Sequence, residues 1–389
     1  LEPAHIRATK RIKRMPLSTP ANRPCNGKHF DNPLTVPQRS AVPQPPAQRK
    51  ARRLVPRLLS WYGKHARDLP WRRTRDPYAI WISEIMLQQT QVATVIPYWE
   101  RWMRALPTVN HLARAKPERV LKLWEGLGYY SRARNLQAAA HQILKNHQGQ
   151  FPNTPEAIRA LPGIGRYTAG AISSIAFNLP EPIVDGNVIR ILTRLFGRRE
   201  DPKAKVLQNE LWSLAETLVR STEDCAALNQ ALMELGATVC HPRSPNCTDC
   251  PVKRSCTARK DNATHLIPTA PPRARTEARS IEVYWITRGN RILLQKRPKG
   301  FHNAGFWELP NNETGPGIPL PPQSEPLTTV RHTITKYRIQ LMAYAVDKSR
   351  ALKGRWCRRD ELESLPITAA HRKLLRQLPA PNEAAQTTA

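Results

Sequence analysis

No run of 18 or more apolar residues occurs in this 389-residue chain, so no membrane-spanning helix is expected. No secretory apolar segment stands near its start, and no amphipathic stretch suggests a surface anchor, so a membrane partner is not expected. Acidic residues are scarce. Thirty Asp and Glu face 61 Lys and Arg, a formal charge of +31, which excludes a partner of like sign and points to a polyanion, with nucleic acid first. Seven cysteines are too few for a disulfide framework in a chain long enough to bury a large core. Internal repeats are absent, which excludes a solenoid. Strand-like alternation is absent between Leu54 and Ala237, so no sheet is expected there.

What is present divides the chain. Residues 1–52 are basic and proline-rich, with only Glu2 and Asp31 as acids. They read as a disordered arm adding non-specific DNA affinity, and an organellar transit peptide is the alternative. Residues 53–239 carry helical periodicity. Asp76-Pro77 caps and opens one helix, running to about Gln89, and Thr90 is placed to cap the next. Further helices are expected near 117–124, 131–146, 155–160, 166–177, 187–196, 204–220 and 224–239. A linker over 257–279 holds Pro268, Pro271 and Pro272. Beyond it, 280–287, 291–295 and 338–346 alternate as strands, and Gly289-Asn290 is a hairpin turn. A small α+β domain over 280–378 and a disordered tail over 379–389 complete the chain.

Four cysteines lie between these regions, in residues 240–256: Cys240, Cys247, Cys250 and Cys256, spaced C-x6-C-x2-C-x5-C among Pro242, Pro245 and Pro251. Such a loop has little with which to order itself, and four thiolates on one centre would do so. The uneven spacing suits an iron–sulfur cube, whereas only Cys247 and Cys250 fit a zinc knuckle. On spacing alone both remain open.

Two glycines in Leu161-Pro162-Gly163-Ile164-Gly165 form a tight turn before a helix starting at Arg166. It reads either as an ordinary helix–helix turn or as a hairpin whose N–H groups grip phosphate; the basic charge favours the second. Asp185, in Val184-Asp185-Gly186-Asn187-Val188, is a helix N-cap, or a carboxylate able to stabilise a cationic sugar, with Asn187 to orient it or a water. Glu84 sits in the apolar helix Ile80-Trp81-Ile82-Ser83-Glu84-Ile85-Met86-Leu87 with no evident cationic neighbour. A buried Glu of this kind has a raised pKa and can act as an acid near neutrality; a satisfied structural Glu is the alternative.

Taken together, Trp81–Thr90, Gly126-Leu127-Gly128-Tyr129-Tyr130, the Gly163–Gly165 hairpin, Val184–Val188 and the four cysteines resemble the MutY-type adenine DNA glycosylases of the endonuclease III superfamily. The resemblance covers about 54–256 strongly and 280–378 more loosely. It implies an all-α, two-lobed helix-hairpin-helix glycosylase domain with a [4Fe–4S] loop, followed by a C-terminal α+β Nudix-like domain. The implied activity is hydrolytic removal of adenine opposite 8-oxoguanine or guanine in double-stranded DNA, by a monomer. The bacterial cytoplasm is its expected compartment, or the nucleus or mitochondrion of a eukaryote. By resemblance, Glu84 and Asp185 are catalytic, supported by Asn187 and Tyr167. Trp71, Arg72 and Gln230 line the adenine pocket, while Gln88, Tyr129, Gly163, Gly165 and Arg166 meet DNA. Tyr167 occupies the position where bifunctional members carry lysine, so no strand cleavage is expected. Arg331 and His332 stand where the resemblance places a Phe-Ser-His loop that reads 8-oxoguanine. No acidic metal-binding helix follows Gly305, so the last domain is expected to bind rather than hydrolyse.

Overall fold

A computed structural model describes residues 46–269, 276–334, 336–346 and 352–381. Most of the expected arm (1–45), part of the linker (270–275) and most of the tail (382–389) lie outside these. Among the described residues, no helix is long and apolar enough to cross a membrane.

The first helix, α1 (Pro46–His65), begins inside the expected arm, a correction to the boundary at residue 52. Its polar opening hides the reason it forms. Ala51, Leu54, Val55 and Leu58 recur on one face and are buried against distant helices. Helix α2 (Pro77–Leu87) starts as its sequence dictates, with the Asp76 carboxylate accepting from the Tyr78 and Ala79 N–H groups. It ends two residues before Gln89, and the next helix, α3 (Val92–Ala105), is preceded by Gln91; Thr90 does not cap it but donates to the Gln88 carbonyl.

The chain continues through α4 (Val109–Arg114), α5 (Pro117–Trp124), α6 (Ser131–Asn146), α7 (Pro155–Arg159) and α8 (Arg166–Phe177), then α9 (Gly186–Phe196), α10 (Lys205–Val219), α11 (Cys225–Thr238) and the single turn α12 (Thr257–Lys260). Two apolar cores result. One gathers residues of α2 to α8; the other gathers α1 with α9, α10 and α11, so the first helix joins a lobe built mainly from the later part of this region. Helices α2 and α8 serve both. Trp81 and Ile82 face the first core and Ile80 the second, while Ile172 and Ala171 divide in the same way. The seam between lobes therefore runs along two helices, and Glu84 and the start of α8 lie on it.

The C-terminal domain has two sheets. Strand β1 (Glu277–Trp285) starts inside the expected linker and pairs in parallel with β6 (Tyr337–Ala345), which pairs antiparallel with β5 (Thr328–Ile334). The second sheet joins β2 (Thr287–Arg288), β3 (Arg291–Lys296), β4 (Trp307–Glu308) and β7 (Arg355–Arg358). Arg288 pairs with Arg291 across the two-residue Gly289-Asn290 turn. Helix α13 (Ala369–Gln377) closes the domain. No helix occurs among the described residues between β4 and β5. Glu308 is fully buried and taken up by Arg297, Asn311 and Thr314.

Candidate active site

The lobe seam opens into a cleft of about 700 Å³. Glu84, Tyr167, Asp185 and Asn187 line it, as do Trp71, Arg72, Gln88, Gly163, Gly165, Arg166 and Gln230, which the sequence scatters over 160 positions. No lysine is among its lining residues.

Glu84 reaches the cleft because α2 is buried on every face: all residues from Tyr78 to Met86 are out of water. The Tyr167 hydroxyl, from the first turn of α8, donates to Glu84 Oε2 at 2.8 Å. Burial pushes the Glu84 carboxyl up to about 7, the Asp185 charge adds to this, and the Tyr167 hydroxyl and Arg72 guanidinium oppose it. A cation is thus nearby after all, though no salt bridge to Glu84 forms. Glu234 shows what one would do. It is fully buried on α11, and burial raises it, but Arg67 and Arg72 grip both its oxygens at 2.7–2.8 Å and hold it down to about 2. One buried glutamate is thereby ready to hold a proton near neutrality and the other is a fixed anion that anchors Arg72. Sequence reasoning missed Glu234, although it interrupts an apolar helix as Glu84 does.

Asp185 acts as a helix cap and also lines the cleft: at the start of α9 it accepts from the Val188 N–H at 2.7 Å. Burial raises its carboxyl, while the Val188 N–H, the Asn187 amide and the Arg190 charge pull the other way. Asn187 Nδ2 donates to Asp185 at 3.0 Å, and its Oδ1 accepts from Arg190 at 2.8 Å. Helix α11 presses on Asn187 through Gly236, where a Cβ would stand 2.5 Å from the Asn187 Cβ. Gly163 has φ +77° and abuts Asn135, so the hairpin admits no side chain there.

Gln88 Nε2 donates to Thr168 at 3.3 Å, Gln230 Nε2 to the Ala226 carbonyl at 3.2 Å, and Trp71 is buried edge-on against Trp99. Tyr129 lies outside this cleft. It is half-exposed, with φ +47°, on a loop lining a second cleft of about 720 Å³ against the C-terminal domain. The unforeseen Arg132 secures that loop, donating to the Leu127 and Gly128 carbonyls and to those of Ile85, Met86 and Gln88.

His332 faces the second cleft but Arg331 does not. The expected loop at Val330–His332 is corrected: all three lie inside β5, paired with Leu341, Gln340 and Ile339, and the strand runs on to Ile334. Alternation along the strand buries Val330, turns Arg331 to solvent and returns His332 to the cleft.

The four cysteines line one small cavity beneath α9 and α11, walled by Ile191, Leu195, Leu235 and Val252. Arg194 is buried and donates to Cys240 Sγ at 3.2 Å and to the carbonyls of His241, Pro242 and Ile267. Among the described residues, no group of three or more His, Cys, Asp or Glu could hold a single metal ion. Four sulfurs around one cavity are a donor set for a metal centre.

A family model described as HhH-GPD superfamily base excision DNA repair protein matches residues 82–217, and a NUDIX domain model matches 282–377. The adenine DNA glycosylase of Homo sapiens is 36% identical, the match spanning 82% of this chain and 72% of that protein. That of Rattus norvegicus is also 36% identical, over 82% and 76%. Among solved structures, a thermostable thymine-DNA glycosylase superposes with a TM-score of 0.51 at 31% identity, covering 55% of this chain and 98% of that one.

Proposed function

Since the chain belongs to the adenine DNA glycosylase family of base-excision repair enzymes, we propose that its cleft releases adenine mispaired with 8-oxoguanine or guanine in duplex DNA and does not cut the strand. The observation that carries this is the pairing of Glu84, neutral up to about pH 7, with Asp185 at a helix N-terminus in one cleft. Adenine must leave the stack to reach them. Glu84 then gives its proton to N7, the C1′–N9 bond breaks, and adenine departs neutral. The Asp185 carboxylate faces the oxocarbenium ion, as paired carboxylates do in glycoside hydrolysis. Water adds at C1′, and the Glu84 carboxylate takes its proton back. Trp71, Arg72 and Gln230 shape the adenine pocket. Gln88, Tyr129, Gly163, Gly165 and Arg166 hold the duplex, and His332 faces the opposite base.

A Schiff base with the sugar needs an amine, and among the described residues no lysine lines the cleft. Single-turnover assays on 8-oxoguanine·A, G·A and G·T duplexes should show adenine release, fastest opposite 8-oxoguanine, and no borohydride-trapped adduct. Faster thymine release would overturn the substrate assignment, and an abundant adduct the hydrolytic one.

Cys240, Cys247, Cys250 and Cys256 are proposed to hold a [4Fe–4S] cluster, which supplies order rather than chemistry. It would fasten a loop carrying Arg243, Lys253 and Arg254 for phosphate. Purified protein should be brown and contain iron, and Cys247→Ser should lose both the visible absorption and thermal stability. Zinc in place of iron would refute the assignment.

A further inference from the structure

The helical region and the C-terminal domain fall in one compact unit and meet at a specific place. Phe306, from the segment entering β4, is fully buried, yet not among its own domain's apolar residues. It belongs to the core of the first helical lobe. Its ring centroid lies 4.1 Å from that of Tyr130. Gly305, just before it, packs near Leu121 of α5. On the other side of the same loop, Arg372 of α13 donates to Glu125 at 2.6 Å. The second Glu125 oxygen accepts from Lys122, which also reaches the Leu365 carbonyl of the C-terminal domain at 3.3 Å. Arg134, one turn into α6, donates to the Ala304 carbonyl at 2.9 Å.

The loop so gripped is Glu125–Tyr130. Between its two anchored ends stands Tyr129, half-exposed and in the left-handed region of backbone space, which is strained for a residue with a Cβ. Such a conformation persists only where its surroundings impose it. Arg132 imposes it from the helical lobe, and the C-terminal domain holds Glu125 and Tyr130, the two ends of the loop.

We propose that Phe306 and the Arg372–Glu125 pair are positioning residues that let the C-terminal domain set the Tyr129 wedge, so that engagement of the base opposite adenine and extrusion of adenine act through one shared loop. This rests on the reading that Tyr129 enters the duplex. Both residues lie outside the Glu84 cleft and touch no reacting atom. Their loss should therefore spare release of an adenine that has no opposite base to engage.

The test compares single-turnover release from adenine opposite 8-oxoguanine with release from adenine opposite an abasic-site analogue, using the full chain. Phe306→Ala and Arg372→Met should slow the first by roughly 3- to 30-fold while leaving the second near wild type. Phe306→Leu and Arg372→Lys should restore most of the loss. Arg372→Met guards against misfolding, since it removes a partly buried polar pair and leaves the apolar cores intact. Equal losses on both substrates, or none on either, would overturn the coupling. Tyr129→Ala separates the two levels. If it too is silent on paired adenine, the wedge reading itself fails; if it is impaired while the Phe306 and Arg372 variants are not, only the coupling does.

Discussion

Glu84→Gln should lower single-turnover adenine release by about 10²- to 10⁴-fold, the usual worth of a positioned general acid, with duplex affinity little changed. Glutamine keeps the shape and can still meet the Tyr167 hydroxyl, but it has no proton to give N7 and cannot take one from water. The pH dependence follows from the direction of the shift. Burial raises Glu84 to about 7, and the acid form is the active one, so release should fall as pH rises through about 7. Asp185 must be ionised, and its own value is raised by burial, so release should also fall toward acid and the profile should be bell-shaped. Stability moves in the same sense as this basic limb. A carboxyl with a folded-state value near 7 and an unfolded value near 4.5 stabilises the fold fully below 4.5 and loses that contribution as pH climbs to about 7. Glu84→Gln should therefore melt higher than wild type at pH 8 and lose that advantage near pH 4. A Gln variant with wild-type release, or a basic limb that survives in it unchanged, would sink the assignment.

Glu84 was legible in the sequence because an acid inside Ile80–Leu87 breaks an otherwise apolar helix, and burial follows from its neighbours alone. Asp185 was legible because its cap position and the Gly186-Asn187 that follow it are local. The same locality fixed Asp76-Pro77 at the start of α2, and Gly289-Asn290 between β2 and β3. Glu234 had the same local signature as Glu84, but what sets its charge, Arg67 and Arg72, lies more than 160 residues away. Arg132 is similar: its five carbonyl partners come from two segments brought together only by the fold. Helix α1 begins in a polar, basic stretch whose stabilising contacts are with α10 and α11. Helix α4 and strand β7 are short, and their partners decide them. The loop misplaced onto Val330–His332 has a related cause. A strand and a loop of similar polarity look alike until register with Ile339–Leu341 is known.

Asp185→Asn should cost adenine release about 10²- to 10³-fold, as loss of a preorganised group facing developing charge does, while leaving the fold almost intact. The reason is that Asp185 has two roles separable by one substitution. As an N-cap it needs only an oxygen for the Val188 N–H, and asparagine caps about as well as aspartate. As a partner for a cationic sugar it needs the charge, which asparagine lacks. Asp185→Ala removes both, so it should match the Asn variant in lost activity and add about 1 kcal/mol of lost stability, measured by urea unfolding. The ordering of the two variants thus tests the assignment twice. If Asp185→Asn kept wild-type release, the carboxylate would be only a cap, and the burial that raises its pKa would serve no chemistry. If both variants lost stability equally, the charge would be holding the fold through Arg190, which reaches Asn187, Gly236 and Cys240 from the same helix face. The geometry favours neither outcome. Arg190 already has four acceptors without Asp185, and helix α9 presents its N-terminal N–H groups to whichever oxygen stands at position 185. What the carboxylate alone adds is a negative charge in a water-poor cleft beside a neutral acid, and that asymmetry is what cleavage of an N-glycosidic bond requires.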